Sequence, residues 1–274
     1  MTNIYDKFDL SWDRALVTGA GGLLGPKHAE ALIEAGAHVI LTDCHEDRVK
    51  EKSKELNVKY GASSTSFYRM DVTSMDDVEY VASVCGPVDI LVNNAAKDPK
   101  VKKGEALDLR CRFENMPFEY WREGIDAALN GTFICSQIFS RQMKERKKGV
   151  ILNISSDLGV IAPDQRIYRK KGLADEEQPA KPITYSAAKW AIIGMTKYLA
   201  VYFANDGIRV NALSPTGVFN DHPKDFVKKL SNIIPMGRMA DINEYKCAVA
   251  FLCSDASSYM TGENMVIDGG KTVW

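Results

Sequence analysis

Short apolar runs and helix-period segments alternate along the chain. "ALVT" precedes a helical pattern over 25–35, "HVILT" precedes 45–56, "SFYRM" precedes 74–84 and "DILVN" precedes 118–144. "GVILNIS" then precedes 184–205, "RVNALS" precedes 241–253, and "NMVID" comes last. These runs are apolar at successive positions rather than at every second one, the mark of strands buried on both faces. Seven such strands separated by helices predict an α/β fold, a doubly wound Rossmann sheet of parallel strands with helices on both faces. No shift of composition marks a linker, so residues 1–274 are expected to form a single domain. Two irregular segments break the rhythm, 97–117 and 160–183. Both follow strands and so fall at the carboxyl edge of the sheet, where doubly wound folds bind their ligands.

Charge narrows the range of partners. Lys plus Arg number 35 against 36 Asp plus Glu, so the chain lacks the excess of positive charge that sequence-independent nucleic-acid binding draws on. A small molecule is the expected partner. No stretch of about 18 apolar residues and no leader-like N-terminus appears, which gives the expectation of a cytoplasmic protein without a membrane span. The six cysteines form no C-x-x-C pair and no cluster with histidine, so neither a zinc site nor any other metal site nor a disulfide framework is expected.

The first strand runs into "TGAGGLLG", with four glycines at 19, 21, 22 and 25. After a buried strand, Gly19 can make the tight turn and Gly22 can bring backbone close to a pyrophosphate. Gly25 can let a helix pack close to the sheet, with Leu24 at its entry and the anion against free N–H groups at its start. Pro26 suits the first helical turn, which does not need its missing N–H. "HVILTD" then ends in Asp43, 18 positions after Gly25, near the separation expected of the acid that binds an adenosine ribose. A carboxylate there repels a 2′-phosphate, and the glycine turn holds no Lys or Arg to compensate. NAD rather than NADP is therefore the expected cofactor.

In "TYSAAKWAIIG", Tyr185 and Lys189 lie four apart, on one face near a helix start. A phenol of pKa near 10 is a poor acid or base at neutral pH, and lowering that value by ~3 requires ~4 kcal/mol of interaction favouring phenolate. An adjacent ammonium and a nicotinium charge are the groups to supply it.

Taken together, "TGAGGLLG", Asp71 in "MDVT", "NNAA" at 93–96, "ALNGTF", "NISS" at 153–156, "YSAAK" at 185–189, "RVNALSP" and "FLCSDASSYMTGENMVIDGG" are ordered and spaced as in one family. Over essentially its full length the chain resembles the short-chain dehydrogenase/reductases of the compact, single-domain kind. That resemblance implies Tyr185 as catalytic acid/base and Lys189 as the group that lowers its pKa and binds the nicotinamide ribose. It implies Ser156 as the residue orienting the reacting carbonyl or hydroxyl, and Asn130 as the asparagine holding a relay water. It further implies adenine contact by Asp71 and Val72, passage of the Asn93–Ala95 backbone beside the cofactor, and Pro215, Gly217 and Val218 beside the carboxamide. Residues 217–234 take the place of the substrate-covering segment, and a homodimer or homotetramer is implied as the assembly. The closing portion looks most like short-chain dehydrogenases of bacterial flagellin-modification and nonulosonic-acid sugar loci, which implies a carbohydrate substrate.

Two departures from the family pattern stand out. The glycines of the turn follow the spacing of extended relatives, the sugar-nucleotide epimerases and dehydratases, yet only 85 residues follow Lys189, too few for their separate substrate domain. Ser156 and Tyr185 are also unusually far apart, by 29 positions. The added segment carries Arg166, Arg169 and Lys170, and the 97–117 segment adds Lys97, Lys100, Lys102, Lys103, Arg110 and Arg112. Together they suggest a basic rim over an anionic sugar derivative, phosphorylated or nucleotide-activated. The leading expectation is an NAD(H)-dependent oxidoreductase interconverting a secondary alcohol and a ketone. The alternatives are an NAD-using epimerase or dehydratase and a non-catalytic NAD-binding protein.

Overall fold

Each of the seven apolar runs forms a strand. The computed structural model describes residues 3–97 and 108–274. Strands β1 (Arg14–Thr18), β2 (His38–Asp43), β3 (Thr65–Arg69), β4 (Ile90–Asn93), β5 (Gly149–Ile154), β6 (Ile208–Pro215) and β7 (Asn264–Ile267) make one sheet in the order 3-2-1-4-5-6-7. Every neighbouring pair is parallel. The order reverses between β1 and β4, so the two connections leaving those strands part and open a crevice at their carboxyl ends.

Helices α1 (Gly25–Glu34), α2 (Glu46–Tyr60), α3 (Met75–Val84), α4 (Phe118–Ile125), α5 (Gly131–Arg146), α6 (Ile183–Tyr202), α7 (Lys224–Ser231) and α8 (Lys246–Cys253) make the connections. The sheet divides the core in two. Val17, Leu41, Val92 and Leu152 bury one face with Leu32 of α1 and Leu252 of α8. Leu16, Ile40, Leu91 and Ile151 bury the other with Val78 of α3 and Phe139 of α5. Burial of both faces is what the continuous apolar runs require.

Two helical patterns come out differently from the sequence expectation. The pattern over 118–144 is not one helix: residues Asp126–Asn130 form a wider π-helical turn between α4 and α5. Gly131 there lies so close to Val72 that a Cβ would sit 2.5 Å from its Cγ2. The pattern over 241–253 becomes helical only from Lys246, because Asp241–Tyr245 is spent on local turns, with Glu244 accepting from the Asp241 N–H at 2.7 Å. The 85 residues after Lys189 complete α6, β6, α7, α8 and β7; among the described residues they add no separate substrate domain.

The 160–183 segment is ordered by short 3-10 turns and docks on α7. Ile167 joins Leu230, Ile234 and Met239 in a small apolar cluster, and the Tyr168 and Phe226 rings lie 5.7 Å apart. From the other irregular segment, the Arg112 guanidinium donates to the carbonyl of Asp175 at 2.6 Å and so joins the two.

Candidate active site

The carboxyl ends of the strands border a cleft of about 900 Å³. Its floor begins at the glycine turn. Gly19 has φ +62°, a left-handed conformation that glycine adopts without strain, and its added Cβ would sit 2.8 Å from Ala95 Cα. At Gly25 a Cβ would meet the Gly19 carbonyl oxygen at 2.5 Å and Ala20 Cα at 2.7 Å, so only glycine lets α1 start this close to the turn. Pro26 lies in the first turn, where its missing N–H costs no hydrogen bond, and the Lys27 and His28 N–H groups close that turn on the Leu24 carbonyl, each at 2.9 Å.

The additional glycine of the turn, Gly21, has a local cause. Gly21 packs on Asp43 and Arg48: its added Cβ would lie 2.9 Å from Arg48 Cβ and 3.0 Å from Asp43 Oδ2. The Gly21 N–H donates to that carboxylate at 3.0 Å, and the His45 N–H donates to its other oxygen at 2.9 Å. Asp43 therefore shapes the turn besides lining the cleft. Asp71 accepts from the Thr73 N–H at 2.9 Å and its hydroxyl at 2.8 Å, and with Val72 it lines the same end of the cleft.

Thr18, which sequence reasoning passed over, secures the opposite wall. Its hydroxyl accepts from the backbone N–H groups of both Asn94 and Ala95 at 3.0 Å. Asn94 and Ala95 line the cleft, but Asn93 does not. Asn93 is the last residue of β4, and strand alternation turns it into the sheet, where it is 3% exposed. Its amide donates to Ser136 Oγ at 3.0 Å and Asn153 Oδ1 at 2.9 Å. The Asn93 side chain is thus a buried support for β4 and β5, and only the 93–95 backbone is left to pass beside a cofactor.

Tyr185, Lys189 and Ser156 converge on the far end of the cleft, with Pro215, Gly217 and Val218 opposite. Lys189 is 3% exposed, and its ammonium donates to the carbonyl oxygen of Ile154, at the end of β5, at 2.6 Å. Ser155 Oγ donates to the Lys189 carbonyl at 2.9 Å, so α6 is clamped to the exit of β5 at the turn that carries Tyr185 and Lys189. The Tyr185 ring lies between two ammonium groups, Lys181 Nζ at 4.1 Å and Lys189 Nζ at 5.6 Å from the ring centroid. Positive charge beside a phenol stabilises its phenolate form. Ser156 is buried, and its hydroxyl donates to Asp157 Oδ1 at 2.8 Å.

Asn130 does not join this group. It ends the π-helical turn on the exposed side, where its amide donates to Asp126 Oδ1 at 2.7 Å. Asp126 and Ala127 are the residues of that turn that reach the cleft, and Ala128 is buried. The relay-water role of Asn130 stays what the family resemblance implies.

The expected basic rim also divides. Arg166 and Arg169 line a neighbouring cavity of about 820 Å³ rather than the catalytic cleft. Arg166 pairs with Asp164 at 2.7 Å and Arg169 with Asp175, each neutralised within its own segment. Lys170 is exposed. Lys97 pairs with Glu123 and Arg112 with Glu114, while Lys100, Lys102 and Lys103 lie outside the described residues. The lysines that do line the catalytic cleft are Lys97, Lys181, Lys189 and Lys271. Among the described residues no cluster of His, Cys, Asp or Glu could hold a metal, and no helix is long and apolar enough to cross a membrane.

Comparison with known proteins places this arrangement. Residues 21–272 match the family model described as enoyl-(acyl carrier protein) reductase. An NAD-dependent glycerol dehydrogenase of Listeria innocua is 34% identical over 98% of both chains. A D-threitol dehydrogenase of Mycolicibacterium smegmatis is 31% identical over 97% of this chain and 95% of its own. Among solved structures, a gluconate 5-dehydrogenase of Burkholderia cenocepacia in complex with NADP and tartrate superposes with a TM-score of 0.84. It is 26% identical and matches over 99% of this chain and 100% of its own. With a glycine turn at the β1 exit and Ser156, Tyr185 and Lys189 gathered at the far end of one cleft, the chain belongs to the short-chain dehydrogenase/reductase family of oxidoreductases.

Proposed function

We propose that the chain is an NAD(H)-dependent oxidoreductase that interconverts a secondary alcohol and a ketone of a polyol or sugar derivative. The observation that carries this reading is the convergence of Ser156, Tyr185 and Lys189 on the cleft that begins at the glycine turn. The residues present fit a dinucleotide. The turn is one that a Cβ at Gly19 or Gly25 would fill, the start of α1 borders it and would meet the pyrophosphate, and Asp71 and Val72 would close the adenine end. Asp43 would hold the adenosine ribose, and its carboxylate favours NAD over NADP. The nicotinamide ring, when bound, accepts or supplies the hydride.

The chain's own residues handle orientation and the proton. Lys189, held by the Ile154 carbonyl, keeps a positive charge beside Tyr185 and is placed to hold a ribose hydroxyl. Tyr185 Oη takes the proton of the substrate hydroxyl as it becomes a carbonyl, or returns it in the reverse direction. Ser156 Oγ orients the same oxygen. Phe226, Leu230 and Tyr168 cover the cleft above them and limit access of water.

Neutral polyols are favoured by the relatives that use glycerol and D-threitol. A second reading, an anionic substrate such as a phosphorylated or nucleotide-activated sugar of a nonulosonic-acid route, is supported by Lys181 in the cleft wall. It draws less from Arg166 and Arg169, which are already paired. A screen of NAD reduction over polyols, sugar acids, sugar phosphates and nucleotide sugars tests both. Turnover of neutral polyols supports the first, and a KM for a sugar phosphate that rises on Lys181→Glu supports the second. Conversion without accumulation of NADH would instead mark an epimerase or dehydratase. Exposed Trp190, Tyr198, Val201 and Tyr202 on α6 support assembly as a homodimer or homotetramer, which sedimentation of the purified chain would test.

A further inference from the structure

A buried ion pair stands directly behind Ser156, joining residues 114 positions apart. Lys271 Nζ donates to Asp157 Oδ2 at 2.8 Å, and the residues are 7% and 3% exposed. The Thr216 hydroxyl donates to the same oxygen at 2.6 Å. The other oxygen, Oδ1, accepts from Ser156 Oγ and from the Leu158 N–H, both at 2.8 Å. Four donors thus saturate one carboxylate, and one of them is the serine that orients the reacting oxygen.

Burying two opposite charges is weak support for stability, because desolvation cancels much of their attraction. The placement gives the pair another use. Asp157 follows Ser156 in the chain, Thr216 belongs to the segment opposite, and Lys271 comes from the end of the chain; all four line or border the catalytic cleft.

We propose that Lys271 is a positioning residue that acts through Asp157 on the Ser156 hydroxyl. In the resting site the Ser156 hydroxyl donates its hydrogen bond to Asp157. It must redirect that hydrogen bond to the substrate oxygen if Ser156 is to orient that oxygen beside Tyr185. Lys271 and Thr216 occupy the far side of the carboxylate, fix its plane, and balance its charge, so that Asp157 gives up the hydrogen bond from Ser156 without moving. Without Lys271, the uncompensated carboxylate keeps hold of Ser156 or turns away and takes Ser156 with it.

This inference rests on the alcohol–ketone reading above, and two measurements keep the two distinguishable. The first is a double-mutant cycle on polyol oxidation. Lys271→Met lowers kcat by about 100-fold, the scale of a displaced orienting group, with NADH affinity kept within about twofold. Lys271→Arg restores most of the loss. In a Ser156→Ala background, Lys271→Met costs no more than about twofold, since Lys271 then has nothing to act through. Losses that multiply independently in the two backgrounds would overturn the proposal. Should Lys271→Met fold poorly, Asp157→Asn/Lys271→Met removes both charges together and enters the same cycle.

The second measurement needs no turnover. Crystals of the wild-type chain and of Lys271→Arg and Lys271→Met are compared. Asp157 stays on Ser156 in the first two and departs from it in Lys271→Met, with the backbone of 154–158 unmoved. Retention of the Ser156–Asp157 hydrogen bond in Lys271→Met would overturn the role of Lys271 whether or not any polyol is a substrate. Absence of wild-type turnover would count against the function alone.

Discussion

Acid should destabilise this protein through His28, buried on the helix that starts at the glycine turn. His28 lies on α1, one turn beyond Gly25; it is 1% exposed and its Nε2 has no hydrogen-bond partner. Burial disfavours the imidazolium and pushes the pKa of His28 from 6.5 down to about 4. The fold therefore accommodates the neutral ring, while the unfolded chain takes up a proton near pH 6.5. The contribution of His28 is complete above that pH and is lost as pH falls toward 4. At 1.36 kcal/mol per pH unit, that interval corresponds to about 3 kcal/mol, of which about 2.5 kcal/mol is gone by pH 4.5. Such a loss is a large share of the 5–15 kcal/mol typical of a domain. Urea unfolding at several pH values between 7.5 and 4.5 measures it, with His28→Leu as reference. Paired carboxylates such as Glu244, held at about 2 by Arg238, also lose stability in acid, but they do so equally in both proteins. The wild-type chain should lose about 2.5 kcal/mol more than His28→Leu over this range. Parallel stability curves for the two proteins would refute the assignment of a buried neutral imidazole.

Other substitutions probe the elements that frame the cleft. Gly25→Ala forces a Cβ into backbone at 2.5 Å from Gly19 O; it should cost about 1–3 kcal/mol and weaken NADH binding about tenfold or more, read by fluorescence titration. Unchanged NADH affinity would argue against the close α1 start as part of the cradle. Leu230→Ala opens the cluster that joins α7 to the 160–183 segment, at a cost near the lower end of the 2–5 kcal/mol range for buried leucines. Hydrogen exchange around Ile167 should accelerate while α1 stays protected; equal rates in both proteins would show that the segment is held by other contacts. Asp43→Ser should narrow the preference for NAD over NADP while loosening the turn that its carboxylate braces, and a preference that did not move would place discrimination elsewhere.

The sheet was the most legible part of the molecule, because strands buried on both faces leave continuous apolar runs that few other structures produce. The glycine turn, Asp43, Tyr185 and Lys189 were also readable, since each depends on local spacing along one strand exit or one helix face, whereas Ser156 came only with the family resemblance. Less legible were residues whose role depends on register. Asn130 ends a π-helical turn on the exposed side, and the sequence over 118–144 has no proline or glycine cluster to announce that turn. Asn93 belonged to the right segment, but the last step of strand alternation turned its side chain away from the cleft. The two insert arginines had the expected charge, yet acids a few residues away absorbed it. The Lys271–Asp157 pair had no local signal at all, since only the path of the chain through β6 and β7 brings residue 271 beside 157.

The most direct test of the account is the behaviour of Tyr185→Phe beside the wild-type chain, with NADH formation from polyols and NADH binding measured on the same preparations. The account predicts NAD-linked alcohol oxidation by the wild type, its loss in the variant, and equal NADH affinity in both, since the phenylalanine keeps the ring and removes only the oxygen that carries the proton. Turnover retained in Tyr185→Phe would contradict the assignment of the proton to Tyr185. Tight NADH binding with no turnover of any alcohol by the wild type would make the chain a cofactor-binding protein rather than an enzyme.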